Sequence, residues 1–113
     1  MLKYTNRLTK RKEFGFLYRN GRKISNNNFI VVYIPTKYNS LRFGISVTKK
    51  VGIAVVRNKI KRQIREIIRL NLLKFNNAYN YIIIPKPESV KLTYQELNSS
   101  LLELLTKYKL FTI

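Results

Sequence analysis

The sequence predicts an α/β (α+β) two-layer sandwich, one sheet with helices packed on it, in the order αββαβα. Three observations lead there. The 113 residues are enough for a single domain, 1–113, and 45% of them are apolar, enough to build a core without disulfides. The apolar residues switch along the chain between helical spacing and unbroken strand-length runs. Clusters of Asn, Gly and Pro separate those runs.

Thr9 suits the N-cap of a first helix and Gly21 its stop; between them Phe14, Leu17 and Tyr18 fall at i, i+3 and i+4 on one face. Asn26-Asn27-Asn28 reads as a loop and Phe29 to Ile34 as a strand closed by Pro35. Phe29, Val31 and Tyr33 occupy one side of that strand and Ile30, Val32 and Ile34 the other, so it is buried on both sides or lines a groove. Lys37 to Ser40 is a turn into a second strand, Leu41 to Thr48, and the short connection makes the pair an antiparallel hairpin. Gly44 inside that strand marks a bulge or a close approach. From Ala54 to about Leu73 the period becomes helical, with Ile60, Ile64, Ile67 and Ile68 on one stripe. Asn76-Asn77 ends the pattern, and Tyr79 to Ile84 is a strand stopped by Pro85 and Pro87. Thr93 and Glu96 have the spacing of a capping box, opening a last helix that carries Leu97, Leu101, Leu104, Leu105 and Tyr108.

Charge narrows the function. Lys and Arg number 23 against five Glu, with no Asp and no His, a net charge of +18. On a folded domain this points to a polyanion, nucleic acid first and an acidic membrane second. Without Cys there is no thiolate catalysis, zinc ribbon or iron–sulfur cluster; without His there is no Ser-His-Asp arrangement. Glu13, Glu66, Glu88, Glu96 and Glu103 are scattered, whereas two-metal phosphodiester cleavage needs carboxylates converging on the ions. The chain is therefore expected to bind rather than to catalyse unaided. The opening Met1 to Arg7 lacks the apolar stretch of a signal peptide and no run is long enough to span a membrane, so a soluble intracellular protein is expected.

The basic residues are concentrated on the second long helix. At 100° per residue, Asn58, Lys61, Arg62, Arg65 and Arg69 fall within an arc of about 100° beside the isoleucine stripe, with Arg57 starting the row and Lys59 farther round. Of the seven charges from Arg57 to Arg69 only Glu66 is acidic. A helix surface built for stability mixes signs at i, i+4; this one stacks like charges at a cost, which an anionic ligand would offset. Arg also suits phosphate geometry. Lys49 and Lys50, just upstream, extend the positive surface. Phe14 and Tyr18, flanked by Arg11, Lys12, Arg19 and Arg22, are either core or a platform on which single-stranded bases stack. Tyr79 and Tyr81 read as sheet packing.

The stretch from Arg42-Phe43-Gly44-Ile45-Ser46-Val47-Thr48-Lys49-Lys50-Val51-Gly52 into Ala54-Val55-Val56-Arg57-Asn58-Lys59-Ile60-Lys61-Arg62-Gln63-Ile64-Arg65 resembles the protein subunit of bacterial-type ribonuclease P. The resemblance extends to the opening around Arg7, the Phe14 helix ending at Gly21, the Tyr81 to Ile84 strand and the closing helix. It implies a non-catalytic subunit of a ribonucleoprotein endoribonuclease, in which a catalytic RNA subunit removes the 5′ leader of precursor transfer RNA with Mg²⁺ held mainly by RNA. It implies further that Lys49, Lys50, Arg57, Asn58, Lys59, Lys61, Arg62, Arg65 and Arg69 contact the RNA subunit, in a complex of one protein to one RNA. Phe14, Leu17 and Tyr18 would line the leader cleft. A left-handed β-α-β crossover and a bacterial cytoplasmic (less readily an organelle) location are implied as well, with no membrane partner.

Two positions depart from the family pattern. Lys59 stands where Arg is common and lacks the guanidinium fork, and Val32 stands where an aromatic is frequent. From the residues alone a ribosomal-type RNA binder, a protein-only nuclease and a membrane-surface protein remain as rivals, in falling order.

Overall fold

In the computed structural model, residues 11–36 and 41–111 are described. Helix α1 (Arg11–Asn20) leads into strands β1 (Arg22–Ser25), β2 (Phe29–Pro35) and β3 (Phe43–Ile45). Helix α2 (Ala54–Leu70), strand β4 (Tyr79–Pro85) and helix α3 (Tyr94–Lys107) follow, with short 3-10 turns at Lys49–Val51, Leu72–Lys74 and Pro87–Lys91. The proposed N-cap Thr9 and the turn Lys37 to Ser40 lie outside the described residues.

The sheet order is β1-β2-β4-β3, antiparallel except for the parallel pair β3–β4. The expected hairpin between the second and third strands is therefore not formed: β4 lies between them. Its apolar run matches β2 over seven residue pairs, Phe29↔Pro85 to Pro35↔Tyr79, and two strands that are apolar on both sides belong at the centre. The expected strand Leu41 to Thr48 shortens to Phe43–Ile45 and goes to the edge, its ladder running on through Tyr81 N–H to Arg42 O and Ser46 N–H to Ile83 O, both 3.0 Å. Gly44 sits opposite Ile82 in an unbroken register, so there is no bulge there. The other edge is β1, absent from the expected order αββαβα; only Ile24 of its four residues is buried, and so polar a strand leaves no apolar alternation to read. Connecting the parallel pair through α2 gives the β-α-β unit.

The principal core lies between the sheet and the helices α2 and α3. Ile60, Ile64, Ile67 and Ile68 are all buried against Phe29, Val31, Phe43, Tyr81 and Ile83. Tyr81 stacks on Phe43 with ring centroids 5.3 Å apart and donates its hydroxyl to Asn76 O at 2.8 Å; burial pushes its phenol pKa up. Tyr79 meets Tyr33 edge-on at 5.3 Å, so both tyrosines of β4 are packing residues as expected. α2 stops at Leu70 rather than Leu73, where Asn71 folds its amide back onto Ile67 O at 2.8 Å. The capping box forms: Thr93 Oγ1 accepts from Glu96 N–H at 3.2 Å and Glu96 Oε1 accepts from Thr93 N–H at 3.0 Å. Four leucines of α3 are buried as expected, but Tyr108 is its C-cap and 43% exposed, having run past the end of the helical stripe.

Among the described residues the opposite face of the sheet carries α1 alone, an addition to the two-layer arrangement. Leu17 packs with Val32 and Ile82, and Phe14, Ile30, Ile34 and Ile84 surround them half-buried. Gly21 makes this close approach possible: a Cβ there would lie 2.6 Å from Leu17 O and 2.7 Å from Val32 Cγ1.

Candidate nucleic-acid interface

The buried isoleucine stripe fixes the rotation of α2, and so turns its basic residues outward. Asn58, Lys59, Arg62 and Arg69 are exposed, and Arg57, Lys61 and Arg65 half-buried. Arg57 Nε is buried without a hydrogen-bond partner, an orphaned donor on a helix lined with cations. Arg69 differs from the others in being engaged already: its Nε donates to Glu66 Oε2 at 3.0 Å. That bond holds the Glu66 carboxyl below its usual pKa and raises that of Arg69.

Lys49 and Lys50 are exposed on the turn before α2, anchored by buried Val51. Gly52, at φ 153°, then swings the chain into the helix in a conformation L side chains rarely adopt. The helix N-cap, Ile53, offers no side-chain acceptor, and the first turn holds no acid. The sequence-predicted basic set is thus gathered on one helix and its lead-in turn, and among the described residues only Arg69 is internally neutralised.

The second candidate set divides. Tyr18 is 37% exposed and Phe14 half-buried at the border of the cluster under α1, so both retain surface a ligand can reach. Leu17 is only 3% exposed; what it does is pin α1 to β2 and β4. Ile34 and Ile84, half-buried on the same sheet face, widen the apolar surface; Ile34 was on the strand side expected to be buried or to line a groove, while Ile84 escaped the sequence reading. Their signal was the double-sided apolarity of β2, facing one helix of ten residues. Phe16, 51% exposed, also escaped it, because it falls off the face that Phe14 and Tyr18 share. Val32, where the family often has an aromatic, is fully buried beneath Leu17. Lys12, Arg19, Arg22 and Lys23 stand exposed nearby. Among the described residues no three His, Cys, Asp or Glu side chains gather as a metal site.

The model for the family described as Ribonuclease P matches residues 2–109. The chain belongs to the ribonuclease P protein family. The "Ribonuclease P protein component" of Finegoldia magna is 44% identical over 89% of this chain and 88% of its own. The crystal structure of the RNase P protein of Staphylococcus aureus at 2.0 Å superimposes with a TM-score of 0.87 at 34% identity, covering 95% of this chain and 98% of that one. The RNase P protein from Thermotoga maritima gives 0.82 at 30% identity, covering 89% and 96%. These likenesses bear out the mixed α+β fold class, and membership makes the chain a ribonuclease P protein, with a role in transfer-RNA processing. No helix among the described residues is long and apolar enough to cross a membrane.

Proposed function

We propose that this ribonuclease P protein binds the catalytic RNA subunit along α2 and the single-stranded 5′ leader of precursor transfer RNA along α1 and the sheet face beneath it. In doing so it promotes Mg²⁺-dependent leader removal in the cytoplasm. The chemistry belongs to the RNA subunit, which with the substrate holds the Mg²⁺. The observation that carries this reading is the division of α2 into a buried isoleucine stripe and a basic face on which Glu66 is the only acid.

Arg57, Lys61, Arg62 and Arg65, with Lys49, Lys50 and Lys59 beside them, would neutralise backbone phosphates, Asn58 would add a hydrogen bond, and an RNA acceptor would satisfy the orphaned Arg57 Nε. Bringing cations to the paired RNAs lowers the metal concentration needed to hold them together. Tyr18 and Phe14 would give unstacked leader bases a platform with little regard for sequence, as single-strand binders do. Mature transfer RNA has no leader, so this contact favours precursor over product.

The test is cleavage of a leader-bearing precursor at low Mg²⁺ by a bacterial-type ribonuclease P RNA, with and without the protein. Restored cleavage at the mature 5′ end is expected. Arg62→Ala or Arg65→Ala should weaken RNA-subunit binding and reduce the slope of log affinity against log salt by about 0.7–0.9 for each phosphate no longer neutralised. Tight RNA binding with no effect on cleavage would instead make the protein a structural RNA binder.

A further inference from the structure

On the flank of α2 that carries Lys59, across the isoleucine stripe from Arg57, Lys61 and Arg65, lies a small cavity of about 160 Å³, walled by Val55, Val56, Ile60, Val90 and Leu92, with Lys59, Gln63 and buried Ser89 supplying polar side chains. We propose that it takes one unpaired nucleobase extruded from the catalytic RNA subunit, which would make it a base-reading site beside Lys59 and the basic turn that leads into α2. The inference rests on the reading of α2 as the RNA-subunit interface.

Four observations single out this occupant. Size is the first: sites for drug-sized ligands run to roughly 300–1,000 Å³, and this one is smaller, on the scale of a single ring system. The second is exposed apolar surface in a strongly basic neighbourhood. Val55 is 75% and Val90 42% exposed, where a phosphate-only interface would want neither. A nucleobase offers apolar faces to such walls and a polar edge besides.

Third, Gln63 is half-buried in the lining and its amide has no partner among the described residues. One amide presents both a donor and an acceptor, which is what reading a base edge requires. Fourth, basic side chains border the site. Lys59 is one helical turn from Arg62, and the Lys49–Val51 turn packs against both α2 and the Pro87–Lys91 turn that carries Val90. Lys91, exposed, follows Val90 on that turn, whose one acid is Glu88; Glu66, three residues from Gln63 on α2, is held by Arg69. An RNA backbone held by Lys49, Lys50 and Lys59 would pass along this flank of α2. A base stacked in a duplex could not enter, so the nucleotide is an unpaired one.

The experiment uses the full chain and the ribonuclease P RNA of Finegoldia magna, with no precursor present, and measures affinity across a salt series. Gln63→Leu removes the edge contacts and Val90→Phe fills the cavity from the turn opposite α2. Each should weaken binding about tenfold, the scale of one stacked or edge-read base, without changing the salt slope. Arg62→Ala in parallel should flatten that slope. A benzophenone side chain at exposed Val55 should cross-link to one unpaired nucleotide. Unaltered or improved affinity in both cavity variants, with Arg62→Ala still flattening the slope, overturns the base site and leaves the α2 interface standing. A loss accompanied by the flattening seen for Arg62→Ala, or cross-links scattered over paired regions, overturns it too, by showing only phosphate contact. If none of the variants, Arg62→Ala included, changes binding, the α2 interface itself falls.

Discussion

The two faces of the sheet begin alike and end differently. β2 is apolar on both sides, yet Phe29, Val31 and Tyr33 disappear beneath α2 and α3, whereas Ile30 and Ile34 on the other side stay half-buried beside α1. The closed face has helices of 17 and 14 residues to cover it and the open face one of ten. Apolar surface beyond what the covering helix can bury is left over as a groove, and that surplus separates a binding face from a core. The same contrast recurs on α2, where one side is given to the core and the other is left to cations.

The sharpest way to break the comparison is to cut one side chain on each face. Ile64 on α2 is fully buried in the large core, and Ile64→Ala should cost about 2–5 kcal/mol in urea unfolding, because the packed surroundings collapse only partly into the void. Leu17→Ala removes a residue buried almost as deeply, from a cluster of only three fully buried side chains with half-exposed borders. Its cost should fall at or below the low end of that range, about 2 kcal/mol, since α1 can settle toward the groove and water can enter. Equal losses would mean that the α1 face is as closed as the other, and the groove would cease to be a distinct surface.

How much of this was legible in the sequence follows the same division. Wherever burial imposes a period, the residues announced it: the isoleucine stripe of α2, the leucines of α3 and the Thr93–Glu96 box all stand where spacing placed them. Pairing was less legible. A short connection suggested a hairpin, but what sets strand order is which strands need cover on both faces, and that preference put β4 beside β2. β1 left no trace, since an edge strand with one buried residue carries no alternation. The basic face could be read because like charges crowd against their own repulsion. Phe16 and Ile84 could not, because an exposed aromatic and a half-covered isoleucine look in sequence like ordinary core residues.

A smaller effect sharpens the contrast between a groove and a charged face. Tyr18→Ala should leave RNA-subunit binding and its salt slope unchanged, while narrowing the affinity gap between precursor and mature transfer RNA about tenfold, the scale of one stacked base. Competition binding of the two transfer RNAs to the assembled complex measures the gap. If it stays the same, Tyr18 belongs to the packing of α1 and the leader reading loses its most exposed residue. A change in salt slope would show the two surfaces to be one.

The smallest expected effect concerns the one acid on the charged face. Glu66 holds Arg69 in an exposed pair, so Glu66→Gln both frees that guanidinium and removes a negative charge near the phosphates. RNA-subunit affinity should rise a few-fold at low salt, and the salt slope should steepen by about 0.7–0.9 if Arg69 gains one phosphate. Stability should barely move, since exposed pairs contribute little. Acidification gives an independent check of sign. Arg69 keeps the Glu66 carboxyl ionised to lower pH than an ordinary glutamate, so the pair's contribution is present above the unfolded carboxylate range and lost only as pH falls through the lowered value. The wild type at pH 5 should therefore bind as it does at pH 7 with respect to this residue, while the Gln variant keeps its advantage at both. An advantage that vanishes at pH 5 would mean that Glu66 had already been protonated there, and that Arg69 is not the partner that holds it.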